Sequence, residues 1–294
     1  MIALVLVHQG LDVSVDLELG ELGPDAGAVR HRGGDRLLVT ARADRAALEW
    51  ALALTDRAVA LTVGPPASGD VLAWALGRGA TDAVRVWDAA FGELDLAAMA
   101  RVVAAAVRRI GPDIVVAGEQ GLAGATGALP ALVAAHLGWP AVNGAIRLGR
   151  EEGEIVAERR LPGGRREELA VPGPAVVTVV ADSVEPRYVS VRARRDAARR
   201  GHEAWSLADL GLTTEAVRAA IRLRLGRVDW PRPRPRRTAT AAPVRSAAER
   251  LRQLVGGGAG RPSPAATTES RLVEGDPRAV ADRILAFLDQ SGFA

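Results

Sequence analysis

The sequence predicts an α/β fold: a doubly wound, mainly parallel sheet with helices on both faces, a small antiparallel extension and an extended C-terminal arm. Three observations carry this. Short continuous apolar runs at 2–7, 57–63, 83–87, 114–117 and 175–180 alternate with stretches of helical period, as expected of strands buried on both faces and joined by crossover helices. Residues 113–140, DIVVAGEQGLAGATGALPALVAAHLGWP, read as strand, glycine-rich turn and helix in that order. Such a turn offers free N–H groups and the positive end of a helix dipole to a phosphate, and the unit is half of a nucleotide-binding, Rossmann-like motif. Finally, segments 145–148, 154–160 and 167–171 are short, alternating and separated by glycine turns, which predicts antiparallel strands.

In order, 2–7 (IALVLV) is a central strand, and 12–19 alternates as an edge strand or hairpin arm. Residues 20–34 are rich in glycine and charge and read as a surface loop. The helix over 44–54 presents Ala47, Leu48, Ala51 and Leu54 on one face, with Asp44 as a candidate cap. After the strand at 57–63 comes a helix over 68–78 with Ser68 as its candidate cap, then the strand at 83–87. A long helix over 94–110 is stopped by Gly111 and Pro112. From about Thr126 the residues Leu129, Leu132, Val133 and Leu137 recur at helical spacing, with His136 beside the apolar face. The strand at 175–180 leads into Glu185-Pro186-Arg187-Tyr188, and the chain turns basic over 192–200. A helical stretch at 214–225 precedes the Pro/Arg-rich segment 231–243, which cannot build a core and should run extended. A short helix at 247–255, a Gly/Pro/Ser/Thr linker at 256–269 and an amphipathic helix at 276–288 complete the chain. The expected organisation is an α/β domain over 1–200, an arm over 201–255 and a linker with helix over 256–294.

Composition narrows the chemistry. Of 294 residues, 48% are hydrophobic and only 3% aromatic, so the core must be Ala, Val and Leu packed closely. Cysteine is absent, which removes disulfides, thiolate metal sites and cysteine nucleophiles. The pI near 10.5 reflects the absence of lysine and a single tyrosine rather than a large charge, since the net charge is +3. Nucleic-acid binding would want aromatics between the arginines, and 192–200 has none. No secretion signal and no apolar run of about 18 residues occurs, so the expectation is a cytoplasmic protein that does not enter the membrane. His8, His31, His136 and His202 are scattered, and neither H-E-x-x-H nor G-x-S-x-G occurs, so no catalytic or metal constellation is expected.

Four stretches carry a resemblance: ADRAALEWAL (43–52), GPDIVVAGEQ (111–120), PAVVTVVADSVEPRY (174–188) and WSLADLGL (205–212). In this order and spacing they resemble the beta subunit of electron-transfer flavoproteins, with Glu185-Pro186-Arg187-Tyr188 the most specific of them. The resemblance covers about 1–255. It implies a heterodimer in which an alpha subunit holds the redox-active FAD, while the beta subunit carries AMP or a second FAD. It also implies electron delivery from flavin dehydrogenases to a quinone reductase or another acceptor. Carried over residue by residue, the nucleotide site comprises Leu6, Ala41, Val63, Gly118, Gln120, Gly121, Gly124, Ala125, Thr126 and Gly127. Val13 stands near the flavin ring. Glu185, Arg187, Tyr188, Val191, Arg192, Arg194 and Arg195 form the partner-recognition segment, and 201–255 forms the arm on the alpha subunit. The sequence departs from the family where N-P-x-D-E reads Ala41-Arg42-Ala43-Asp44-Arg45, and where the phosphate loop lacks its D-x-D acids. Bland readings stand beside these. The glycines of 118–127 serve as a tight turn, Glu185 and Arg187 form an ion pair over Tyr188, and the arginines are a solvated face. Two alternatives accompany the family reading: a stand-alone nucleotide-binding α/β protein without electron transfer, and a structural partner subunit with an empty nucleotide site.

Overall fold

A computed structural model of the chain describes residues 1–12, 17–19, 29–31, 38–91, 94–122, 126–152, 154–223 and 275–290. The chain divides into two units, Met1–Trp230 and Pro231–Ala294.

The first unit is built on β1 (Ala3–Leu6), which alternates its side chains between two cores. Ala3 and Val5 enter one, Leu4 the other. Short strands β2 (Gln9–Leu11), β3 (Leu17–Leu19), β4 (Val29–His31) and β5 (Leu38–Thr40) follow, and β2 pairs with β5 and β3 with β4. The strand β4 falls inside the segment expected to be loop. Next come α1 (Arg42–Leu54), β6 (Ala58–Val63), α2 (Gly69–Gly77), β7 (Asp82–Val86) and α3 (Leu96–Ile110). They are followed by β8 (Ile114–Gly118), α4 (Ala128–Leu137), β9 (Ala141–Glu151), β10 (Glu154–Arg160), β11 (Arg166–Val171) and β12 (Ala175–Val179). The unit ends with α5 (Val191–Arg200), β13 (Glu203–Trp205) and α6 (Thr214–Arg218).

The main sheet has nine strands in the order β11-β10-β9-β12-β8-β1-β6-β7-β13. Every neighbouring pair from β9 to β13 is parallel, and β10 is antiparallel to both β9 and β11. The mainly parallel sheet and the antiparallel extension are therefore one continuous surface. Helices α1, α2 and α5 bury their apolar faces on one side of it, and α3, α4 and α6 on the other. On α3 the buried residues are Ala98, Ala100, Val102, Val103, Ala104, Ala106 and Val107, small enough for the helix to lie close to the sheet. That answers the scarcity of aromatics. From β1 the chain winds outward through β6 and β7, then returns to place β8 on the other side of β1. The C-terminal ends of β1 and β8 thus flank the topological switch point, where open α/β sheets bind their ligands.

Several local expectations are corrected. Asp44 does not cap α1, which starts after Ala41 without a side-chain cap. Ser68 makes no cap bond to α2. A cap that does operate is Asp95, whose carboxylate accepts from Ala98 N–H at 2.9 Å, with Gly111 closing α3 in the left-handed conformation at φ 62°. His136 is exposed rather than near the core. The basic segment forms α5, because Ser190 accepts from Ala193 N–H and Ala and Arg are strong helix formers. The helical stretch expected over 214–225 is described as α6 only. The expected helix at 247–255, the extended segment 231–243 and the linker 256–269 lie outside the described residues. In the second unit the described residues form α7 (Pro277–Gln290), whose first turn starts with Asp276 accepting from Arg278 N–H and Val280 N–H.

Candidate nucleotide site at the switch point

A cavity of about 260 Å3 opens at the C-terminal ends of β1, β6 and β8, just below the roughly 300–1,000 Å3 usual for small-molecule sites. Its apolar walls are Leu6, Leu61 and Val63 from the sheet, Met99 and Val103 from α3, and Leu129 from α4. Such walls suit a flat heteroaromatic ring. The floor is Ala117 and Gly118, and the rim holds Gly121, Thr126 and Gly127.

Local chemistry shapes the rim. Gly127 takes φ 64°, immediately before α4, and a Cβ there would meet the Glu119 carbonyl oxygen at 2.8 Å; only glycine turns the chain this sharply. Gly127 gives α4 no N-cap side chain, and the residue before it, Thr126, accepts a long hydrogen bond through Oγ1 from Ala128 N–H at 3.4 Å. Pro130, third in the helix, occupies a position whose N–H would have no intrahelical partner. The helix therefore presents its uncapped, electropositive end at the cavity rim.

Of the residues anticipated from sequence, Leu6, Val63, Gly118, Gly121, Thr126 and Gly127 are brought together around this one cavity. Ala41 is buried and Gln120 is exposed, and neither lines it. Val13, Gly124 and Ala125 lie outside the described residues.

Sequence reasoning missed Asp44. Its side chain, 6% exposed, turns inward from the first turn of α1 and lines the cavity. It accepts from His8 N–H at 2.9 Å and from Gly118 N–H, tying the ends of β1 and β8 together. Burial pushes its pKa up to about 7, while the two donated N–H bonds hold it back. Gly118 makes this close approach possible: a Cβ there would meet Asp44 Oδ1 at 2.4 Å and Ala43 Cβ at 2.8 Å. His8, at the mouth, keeps solvent access on one side, yet its crowded surroundings lower its pKa. The available signal for Asp44 was an acid flanked by Ala43, Ala46 and Ala47, all of them core residues.

The partner-recognition residues occupy a different place. Arg187 donates through Nε to Glu49 Oε2 at 2.7 Å and through its backbone N–H to Glu49 Oε1 at 3.1 Å. The ion pair is thus with Glu49 of α1, not with Glu185, which is exposed. Tyr188 covers nothing: it is 88% exposed, with Val191 beside it at 61%, while the intervening Val189 is buried. Arg192 and Arg195 lie on the outer face of α5, whereas Arg194, exposed at its side chain, sits with Ala197 where the helix meets Gly77 of α2. Among the described residues no cluster of acids and histidines could hold a metal ion. No helix among them is long and apolar enough to cross a membrane.

The strand order and the cavity at its switch point define a Rossmann-like α/β domain of the kind that carries nucleotide sites. Comparison with known proteins is more specific. Residues 37–210 match the Electron transfer flavoprotein domain. The chain is 35% identical to the Electron transfer flavoprotein subunit beta of Methylophilus methylotrophus over 55% of its own length and 62% of that protein. It is 31% identical to the Caffeyl-CoA reductase-Etf complex subunit CarD of Acetobacterium woodii, over 59% of its length and 68% of that protein. With the Electron transfer flavoprotein subunit beta of Clostridium acetobutylicum it shares 34% identity over 50% of its length and 58% of that protein. The chain belongs to the electron transfer flavoprotein family, among its beta subunits, and spans about three fifths of the length of these relatives.

Proposed function

We propose that the chain works as the beta subunit of an electron-transfer flavoprotein. In this reading it pairs with an alpha subunit and carries electrons from flavin dehydrogenases to a quinone reductase or another acceptor. The match over 37–210 carries the proposal, and the subunit role is taken over from the relatives' names. When bound, the FAD, held mainly by the alpha subunit, supplies the redox chemistry. This chain's residues bind and position.

The cavity at the switch point is assigned to an adenine nucleotide, AMP or the adenylate half of a second FAD. The apolar walls and the backbone at the rim are compatible with that ligand, whereas the acids of the lining are not matched to its charge. Leu6, Val63, Met99 and Leu129 would enclose the base, and the backbone at Gly121 and Gly127 with the α4 terminus would receive the phosphate. The surface of Tyr188, Val191 and the arginines of α5 is assigned to dehydrogenase docking, supported by the two hydrophobic side chains left in solvent just before and at the start of α5. Arg187 serves that surface from beneath by fixing the turn to α1.

The test is co-expression of this chain with an electron-transfer flavoprotein alpha subunit, followed by size separation and absorption spectroscopy. The expected result is a yellow heterodimer that dehydrogenase and substrate bleach. A colourless chain that never co-elutes with the alpha subunit would overturn the reading.

A further inference from the structure

The cavity's charge is at odds with an anionic ligand. Among the described residues its lining holds two acids, Asp44 and Glu119, a histidine, and no arginine. Glu119 sits at the rim in partial contact with solvent, whereas Asp44 is enclosed. An ionised Asp44 would meet an entering phosphate in a low-dielectric space with no cation between them, and Coulomb repulsion there is poorly screened. The same carboxyl can shed its charge without leaving its place, because a neutral acid still accepts one N–H bond.

We propose that Asp44 takes up a proton when an adenine nucleotide enters the cavity, so that nucleotide retention strengthens as pH falls. This rests on the reading of the cavity as a nucleotide site. Asp44 is then a positioning residue with two duties: as a carboxylate it ties β1 to β8 through His8 N–H and Gly118 N–H, and as a neutral acid it keeps one of these bonds while matching the charge of the cavity to its ligand. The elements packed on α1 carry few competing groups. His8 follows β1, Glu119 follows β8, and β6 (AVALTV) has no ionisable side chain. Beyond β12, Asp182 is paired at the surface with Arg42, and β9 carries Arg147, Arg150 and Glu151. Arg45 and Glu49 share the helix with Asp44, and Glu49 is engaged by Arg187. What raises the Asp44 pKa toward neutrality is burial, not any of these charges.

The experiment is calorimetric titration of the 294-residue chain, first stripped of bound nucleotide and refolded, with AMP at pH 6, 7 and 8, in pairs of buffers that differ in ionisation enthalpy. Wild type is compared with Asp44→Asn, whose amide mimics the neutral acid in shape and in having one acceptor. Because both proteins meet the same AMP, titration of its own phosphate cancels in the comparison. Complete coupling costs about tenfold in affinity per pH unit above the free pKa. The expected result is that wild type, relative to the variant, loses at least about threefold in affinity between pH 6 and 8 and absorbs more protons per AMP bound. Matching pH profiles and equal proton uptake would overturn the proposal while leaving the nucleotide site intact. No AMP binding by wild type at any pH would overturn the site assignment and this proposal with it. Should Asp44→Asn fail to fold, the wild-type Asp44 carboxyl carbon is followed by NMR. Its titration moves to higher pH on adding AMP if the proposal holds, and stays put if it does not.

Discussion

Arg187 shows how much a single side chain can be asked to do. Its partner Glu49 is 6% exposed while Arg187 itself is 47% exposed, so the pair is neither a surface bridge of negligible value nor a fully buried one. Arg187→Ala would leave a buried carboxylate without its charged partner, a loss of about 1–3 kcal/mol by analogy with other unsatisfied buried groups. Denaturant unfolding measures it, and Arg187→Lys should recover only part, because an ammonium cannot reproduce the planar Nε geometry. A loss below about 0.5 kcal/mol would show that the pair is ornamental. The sequence made Arg187 visible but not its partner. Glu185 lies two residues away, Glu49 lies 138 away, and only the packing of α1 against the turn reveals which carboxylate is meant. Asp44 was misread for a similar reason. An acid near a helix start resembles a cap in one dimension, whereas the interior supplied two strand-end N–H groups that it serves instead.

At the scale of elements, periodicity and glycine punctuation located most strands and helices, because buried parallel strands and amphipathic helices write their environment into the chain directly. The strand–turn–helix from β8 to α4 is the clearest instance, down to Gly127. Less legible were elements fixed by distant contacts. Asp95 is one such fixture: besides capping α3 it accepts from Arg222 N–H at 2.6 Å and Leu223 N–H at 2.8 Å. What burial it has works the other way, yet the N–H bonds from Ala98, Arg222 and Leu223 keep its carboxyl below the usual range. A depressed folded-state pKa means stability that is present above about pH 4 and lost as pH falls through the lower folded value. Asp95→Ala should therefore cost about 0.5–2 kcal/mol at pH 7, and hydrogen exchange should quicken at Arg222 and Leu223. In acid the difference from wild type should shrink. A penalty independent of pH would mean that the carboxylate charge is irrelevant to the cap. The segment 191–200 is a further case. Its basicity was plain, but its helical state depends on Ser190 and on Ala197 meeting α2 near Gly77.

The molecule as a whole is organised by one topological event, the reversal of winding on either side of β1. The reversal opens the crevice, the small residues Ala117 and Gly118 let α1 approach it, and the uncapped start of α4 gives it a positive rim. The strands β9 to β11 extend the sheet beyond β12, on the side away from β6 and β7. The family match takes in the Tyr188 turn and the α1, β8 and α4 sides of the crevice, while the β1 side precedes residue 37. The claim on which the account turns is that the crevice holds an adenine nucleotide. The most direct measurement is acid release of small molecules from the purified chain, alone and co-expressed with an alpha subunit, with chromatographic identification and a Gly118→Val control. The account predicts AMP or FAD released in near-stoichiometric amount from the wild type. It predicts little or none from Gly118→Val, whose side chain would occupy the space of Asp44 Oδ1, 2.4 Å from the added Cβ. Release of no nucleotide from the wild type in either state, or equal release from the variant, would contradict it.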